Sequence, residues 1–147
     1  DLRANRRALS MPGTEKLDMV VLGSPHFSLG EFRQLDSLLA QALSSGQHCH
    51  PHVRFLITSS RMMTALARRA GLLTALEAFG GTVTVDTCIL ATPMLPAEIK
   101  NLMTNSAKYA YYAPGMLGTH VVFGSLTSCV RSAIAGRVVH EGGVWAE

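Results

Sequence analysis

The segment TVTVDTCILATPML, residues 82–95, sets a thiol where a β-rich run opens into a loop. Val83 and Val85 alternate with threonines, which is a strand signature. Asp86, Thr87 and Cys88 follow, with Pro93 and Pro96 beyond. A thiolate at a strand end is well placed to ligate a soft metal or a cluster. A buried cysteine acting as a small apolar residue fits the same position. Cys129 carries the same pair of readings. It falls in the first turn of a predicted helix, after Gly124-Ser125, where a helix N-terminus stabilises a thiolate and favours ligation. Otherwise it faces the sheet. The two cysteines are distant in sequence and meet only if their strand–helix junctions share one edge.

Three further stretches carry polar chemistry. GQHCHPHVRF gathers His48, Cys49, His50 and His52 within five residues. Structural zinc draws its ligands from two separated knuckles, so a polar connection before a strand is the expectation there. MTNSAKYAYYAPGMLG, residues 103–118, reads as an unusual loop. It mixes Thr104, Asn105, Ser106 and Lys108 with Tyr109, Tyr111 and Tyr112, all three tyrosines of the chain. Such groups can fix an acidic or hydroxylated substrate; tyrosines packing as amphipathic covers are the alternative. Ser59, Ser60 and Arg61 precede a predicted helix whose N–H groups favour an anion. Arg61 can pair bidentately with a carboxylate, and an N-cap with a surface arginine is the plainer reading. No GxSxG elbow, GxxxxGK[ST] loop or GxGxxG fingerprint occurs in the chain, nor a close carboxylate pair on a helix.

These residues must be positioned by the elements between them. The apolar run Met19–Leu22 reads as a strand closed by Gly23-Ser24. Ser28 and Glu31 have the spacing of a capping box, and Leu29, Phe32, Leu35, Leu39 and Leu43 keep to one helical face. HVRFLITSS is a second strand. Residues 61–80 form a helix broken near Gly71 and closed by Gly80, and residues 82–88 a third strand. A short helix is expected over 96–104, a fourth strand over 120–125, and a last helix closed by Gly136. Alternating strands and helices imply a three-layer α/β domain with a mainly parallel sheet of about four strands flanked by helices. In such a sheet ligands gather at the carboxyl ends of the strands. Those ends are Gly23-Ser24-Pro25-His26, Thr58-Ser59-Ser60-Arg61, Asp86-Thr87-Cys88 and Gly124-Ser125. All four carry polar or reactive residues, so one edge of the sheet is expected to carry a site.

The composition fits this reading. The chain has 147 residues, 48% of them hydrophobic and 16% charged, enough for one core and too apolar for a disordered tail. Residues 1–17 read as a polar lead-in and residues 18–147 as a single domain. Mean hydropathy is +0.22, yet no apolar run approaches the roughly 20 residues of a membrane span. Buried strands, or a surface covered by a partner, account for that apolarity. The net charge of +3 is dispersed, with Arg3, Arg6 and Arg7 at one end and Arg68 and Arg69 in a helical pattern. Solvated helix faces explain it, and nucleic-acid binding is not expected. Three cysteines without a CxxC, and an N-terminus lacking the regions of a signal peptide, point to a reducing, cytoplasmic setting.

Taken together, VVLGSPHFSLGEFRQL, ITSSR, VDTCILATPM, MTNSAKYAYYAPG and VVFGSLTSCV resemble the aconitase X family of the aconitase superfamily. The blocks occur in order over nearly the whole chain. The resemblance implies a hydro-lyase that dehydrates a small hydroxy acid with an iron–sulfur or iron centre. Cis-3-hydroxy-L-proline is the first substrate it suggests, and phosphomevalonate the second. It implies Cys88 and Cys129 as metal ligands, with a third ligand outside this chain; Cys49 matches no family block. Ser24, His26, Ser59, Ser60, Arg61, Thr104, Asn105, Ser106 and Lys108 would position substrate. The general base would come from a separate mobile domain, with further domains or a small swivelling subunit as partners. Alone, the chain is expected to be inactive. A non-catalytic α/β domain that binds an anion or a partner is the alternative of another class.

Overall fold

The computed structural model describes residues 16–23, 26–90 and 95–140. The lead-in thus lies outside the described residues except for Lys16 and Leu17. Five strands form one fully parallel sheet: β1 (Met19–Leu22), β2 (Arg54–Ser59), β3 (Gly81–Val85), β4 (Asn101–Thr104) and β5 (His120–Phe123). Their spatial order is β3-β2-β1-β4-β5. Helices α1 (Leu29–Ser44), α2 (Arg61–Arg69), α3 (Thr74–Phe79), α4 (Ala107–Leu117) and α5 (Leu126–Ala135) complete the domain.

The central strand explains the apolar composition. All four residues of β1 are buried, because a parallel strand covered on both faces has no solvent side. Side chains alternate across the sheet, and the core divides accordingly. Val20, Leu22, Phe55, Ile57 and Met103 join α1, α2, α3 and α5 in one cluster. Met19, Val21, Leu102 and Val121 join α4 in the other, together with Ile89, Leu90 and Ile99 from the crossover before β4.

The capping box forms as expected: Glu31 N–H donates to Ser28 Oγ at 3.2 Å, and Ser28 N–H to Glu31 Oε2 at 2.8 Å. Phe32, Leu35 and Leu39 are buried with Ala42, while Leu29 and Leu43 are only half-buried. The helix over 61–80 divides at Gly71 into α2 and α3, and Gly80 caps the second in the left-handed region.

Three expectations change. The sheet has five strands, because part of the expected helix at 96–104 is strand β4. That segment is specified by distant partners. Asp18 Oδ2 accepts the N–H groups of Lys100 and Asn101 at 3.0 and 2.9 Å, and Asp18 N–H donates back to Asn101 O. The expected loop over 103–118 contains helix α4, capped by Ser106 and carrying Pro114 within it. The third strand stops at Val85, since Asp86 takes a φ of +51°.

Asp18 also confers a pH dependence. Burial pushes its carboxyl up, but the N–H groups of Lys100 and Asn101, with Lys16, outweigh that and hold it below its ordinary value. A lowered folded-state value stabilises the protein above the unfolded pKa of about 3.9, and the contribution is lost as pH falls through the folded value. In urea titrations at a series of pH values, the gap between wild type and Asp18→Ala should be widest above about pH 4 and shrink below it.

Among the described residues, no helix is long and apolar enough to cross a membrane.

Candidate functional site

Because every strand is parallel, all five carboxyl ends meet at one rim. Four helices begin there, each capped by a serine hydroxyl: Ser28, Ser60, Ser106 and Ser125 accept from the N–H groups of Glu31, Met63, Tyr109 and Ser128. The chain moves from β1 to β2 on one side and lays β4 and β5 on the other. The strand order therefore reverses between β1 and β4, and ligands of open α/β sheets bind at such a crevice. It lies between Gly23, at the end of β1, and the Asn105–Ser106 turn after β4.

The first turn is held firmly. Thr58 Oγ1 donates to Gly23 O at 2.6 Å, and Phe27 N–H donates to Thr58 O at 2.9 Å. Ser59 is buried and donates to Phe27 O at 2.8 Å. Thr104 is buried and accepts from Ser106 N–H at 3.1 Å. Four of the nine expected substrate-positioning residues, Ser59, Ser60, Thr104 and Ser106, thus build the rim. Lys108 is exposed near the start of α4, Asn105 is half-buried beside it, and His26 is exposed. Ser24 lies outside the described residues.

Arg61 has an internal partner. Asp86 accepts its backbone N–H at 2.9 Å and its Nε at 3.1 Å. The backbone N–H of Arg61, then its guanidinium, with His26 adding its charge, hold the Asp86 carboxyl below the ordinary range. The chain's own carboxylate therefore occupies the anion-favouring start of α2. This junction, which joins the turns after β1, β2 and β3, was not foreseen from sequence. An aspartate directly after a strand and opposite a helix-opening arginine is the signal that could have found it.

The thiols part company. Cys88 is exposed just past β3. Ile89 and Leu90, which follow it, pack into the α4 cluster. Cys129 is fully buried in the cluster of α1 and α5 across the sheet. The expectation that both thiols open to one pocket does not match this placement. On α5 the residues facing inward are Ser128, Cys129, Val130, Ser132 and Ala133, so Cys129 follows the sheet-facing reading.

The histidine-rich connection is far from the rim, before β2. Cys49 Sγ donates to Val53 O at 3.3 Å, and burial pushes this thiol up to about 11. His50 N–H donates to Ala133 O at 2.8 Å, and its ring lies against Gly136. Among the described residues, no three histidine, cysteine or acidic side chains are grouped to hold a metal ion. For an iron centre, the fit is therefore partial. Cys88 offers an exposed soft donor at the rim. Cys129 is fully buried in the other cluster.

Residues 17–135 match the family model described as the aconitase X third domain. A cis-3-hydroxy-L-proline dehydratase of Pseudomonas aeruginosa is 47% identical over 92% of this chain and 23% of its own length. A phosphomevalonate dehydratase large subunit of Methanothermobacter thermautotrophicus is 32% identical over 78% of this chain and 27% of its own. The crystal structure of Thermococcus kodakaraensis aconitase X in its holo-form superposes with a TM-score of 0.76 at 27% identity, covering 90% of this chain and 32% of that one. The chain spans about a quarter of the length of these curated relatives. It belongs to the aconitase X family, of which it carries the third domain.

Proposed function

We propose that this chain is one domain of a hydro-lyase that removes water from a small hydroxy acid, with cis-3-hydroxy-L-proline as substrate. The observation that carries the reading is the 47% identity to the Pseudomonas dehydratase across nearly the whole chain. Phosphomevalonate is the second substrate, resting on the 32% match to the large subunit.

The residues have distinct parts in this reading. Cys88 would hold an iron or iron–sulfur centre, with the other ligands supplied from outside this chain. When bound, that centre supplies Lewis-acid assistance to the departing hydroxide. Lys108 and Asn105, at the switch-point crevice, hold the substrate carboxylate by charge and hydrogen bond. His26 borders the same crevice. The Ser59, Ser60, Thr104 and Ser106 hydroxyls keep the rim rigid, and the Arg61–Asp86 pair fixes the turn that presents Cys88. The base that takes the proton alpha to the carboxylate belongs to another domain or to a small swivelling subunit.

Two exposed apolar faces support such partners. Met62 and Leu66 line one side of α2, and Tyr111, Tyr112 and Met116 line α4. Cysteines without disulfides agree with a reducing cytoplasm.

The test is an assay of the whole enzyme with its iron centre assembled. Release of water from cis-3-hydroxy-L-proline is expected, with phosphomevalonate unreactive. Turnover of phosphomevalonate alone would reverse the substrate order. Tight binding of either acid without turnover would instead make this a non-catalytic anion-binding domain.

A further inference from the structure

The two faces of the sheet are covered unequally. Helices α1, α2, α3 and α5 share one cluster on one side. On the other side α4 packs over β4 and β5. The crossover from β3 to β4 adds Ile89, Leu90 and Ile99 there, with no helix among its described residues. The consequence shows along β2. Phe55 and Ile57, which face the four helices, are buried. On the opposite face Arg54 is exposed and Leu56 only half-buried. Thr82 of β3, paired with Leu56, is exposed as well. A fully parallel sheet is normally covered on both faces. Among the described residues, the amino halves of β2 and β3 lack that second cover.

A cavity of about 330 Å³ opens at this place, lined by residues that include Met19, Leu56, Thr82, Ile89, Leu95 and Pro96. Arg54 at its wall is paired with Glu98 at 3.4 Å, so its charge is already answered. The cavity therefore offers an apolar floor to a neighbour.

The path of the chain points to the source of that neighbour. Lys16 and Arg137 form an antiparallel bridge, so the domain is entered and left at adjacent points. Lys16 leads into β1, whose first residue, Met19, lines the cavity. Both points thus lie at the amino edge of the sheet, the edge on which the cavity opens. The family match spans residues 17–135, and the chain covers about a quarter of its curated relatives. Most of such an enzyme lies beyond these two points.

We propose that a helix from another domain of the same enzyme lays its apolar face across β2 and β3 and fills this cavity. The proposal rests on the reading of the chain as one domain of a larger hydro-lyase. Such a helix completes the missing layer of the sandwich. Docking at the amino edge also leaves the carboxyl rim open to substrate.

The experiment uses the whole enzyme with a photoreactive benzoylphenylalanine in place of Thr82. After irradiation, the cross-linked peptides are identified by mass spectrometry, and dehydratase activity of the wild type is measured alongside. The expected product is a cross-link within one enzyme molecule, to a helical peptide outside residues 1–147. Thr82→Arg should also lower the thermal midpoint of the whole enzyme by several degrees, although Thr82 is exposed in the domain itself. A cross-link to a second copy, or only to other residues of this chain, would overturn the proposal. So would the absence of any cross-link together with an unchanged midpoint in Thr82→Arg. If one of those results comes with a wild type that dehydrates either acid, the docking fails and the hydro-lyase reading stands. A wild type inactive on both acids, with its iron centre assembled, sinks that reading and removes the ground for this proposal.

Discussion

Cys88→Ser in the whole enzyme should lose most of its iron and, with it, its dehydratase activity. Loss of an outer-shell partner costs roughly 10–100-fold in metal affinity or activity, and loss of a thiolate ligand should exceed that. Serine keeps the size of the side chain but is a harder, less acidic donor, unsuited to iron–sulfur coordination. Because Cys88 is exposed and lies outside the core clusters, the fold should survive, and its circular dichroism should match wild type. Cys129→Ala makes the opposite prediction. Its side chain is fully buried, so the variant should lose about 1 kcal/mol of stability while retaining iron. Iron lost from a folded Cys129→Ala variant would restore the two-thiol assignment that the sequence suggested.

Gly23→Val should disable the domain by a different route. Gly23 holds a φ of +80°, and a Cβ there would lie 2.6 Å from Thr58 O and 2.7 Å from Phe27 Cβ. Neither neighbour is a flexible side-chain tip. Thr58 O already accepts the Phe27 N–H, so moving it breaks the tie that shapes the first rim turn. The left-handed conformation costs an L-residue about 1–2 kcal/mol, and forced overpacking adds roughly 1–3 kcal/mol. A loss of about 2–5 kcal/mol is expected in denaturant unfolding of this domain. Gly118→Ala is the control. It shares a positive φ, of +63°, but meets no atom within 4 Å, so its loss should stay near the conformational cost of about 1–2 kcal/mol.

The sequence reading succeeded where the information is local. The Ser28–Glu31 spacing, the alternating Val53, Phe55 and Ile57, and the glycines at 80 and 136 each act within a few residues of themselves. Their structural counterparts appear where expected. Strand β4 failed that test because it is four residues long and held between β1 and β5 by partners distant in the chain. No local propensity marks a strand specified by long-range pairing. Helix α4 was obscured by tyrosines, Pro114 and Gly115, although Ser106 ahead of Ala107, Ala110 and Ala113 was a legible cap and face.

The rim shows the same division. Parallel topology brought the four predicted polar turns to one edge, and that much was legible. Which side chains remain free there was not. Arg61 is engaged by an aspartate whose positive φ follows from tertiary structure. Cys129 shares an inward helix face with Ser128 and Ser132, whose polarity hides the apolar periodicity that would have marked it as buried.

Iron-edge anomalous diffraction from crystals of the whole enzyme tests the account most directly. A strong iron peak within bonding distance of Cys88 Sγ, at the carboxyl rim, with Cys129 on α5 buried and unligated, is the predicted result. Iron bonded elsewhere, with Cys88 Sγ free, would contradict it.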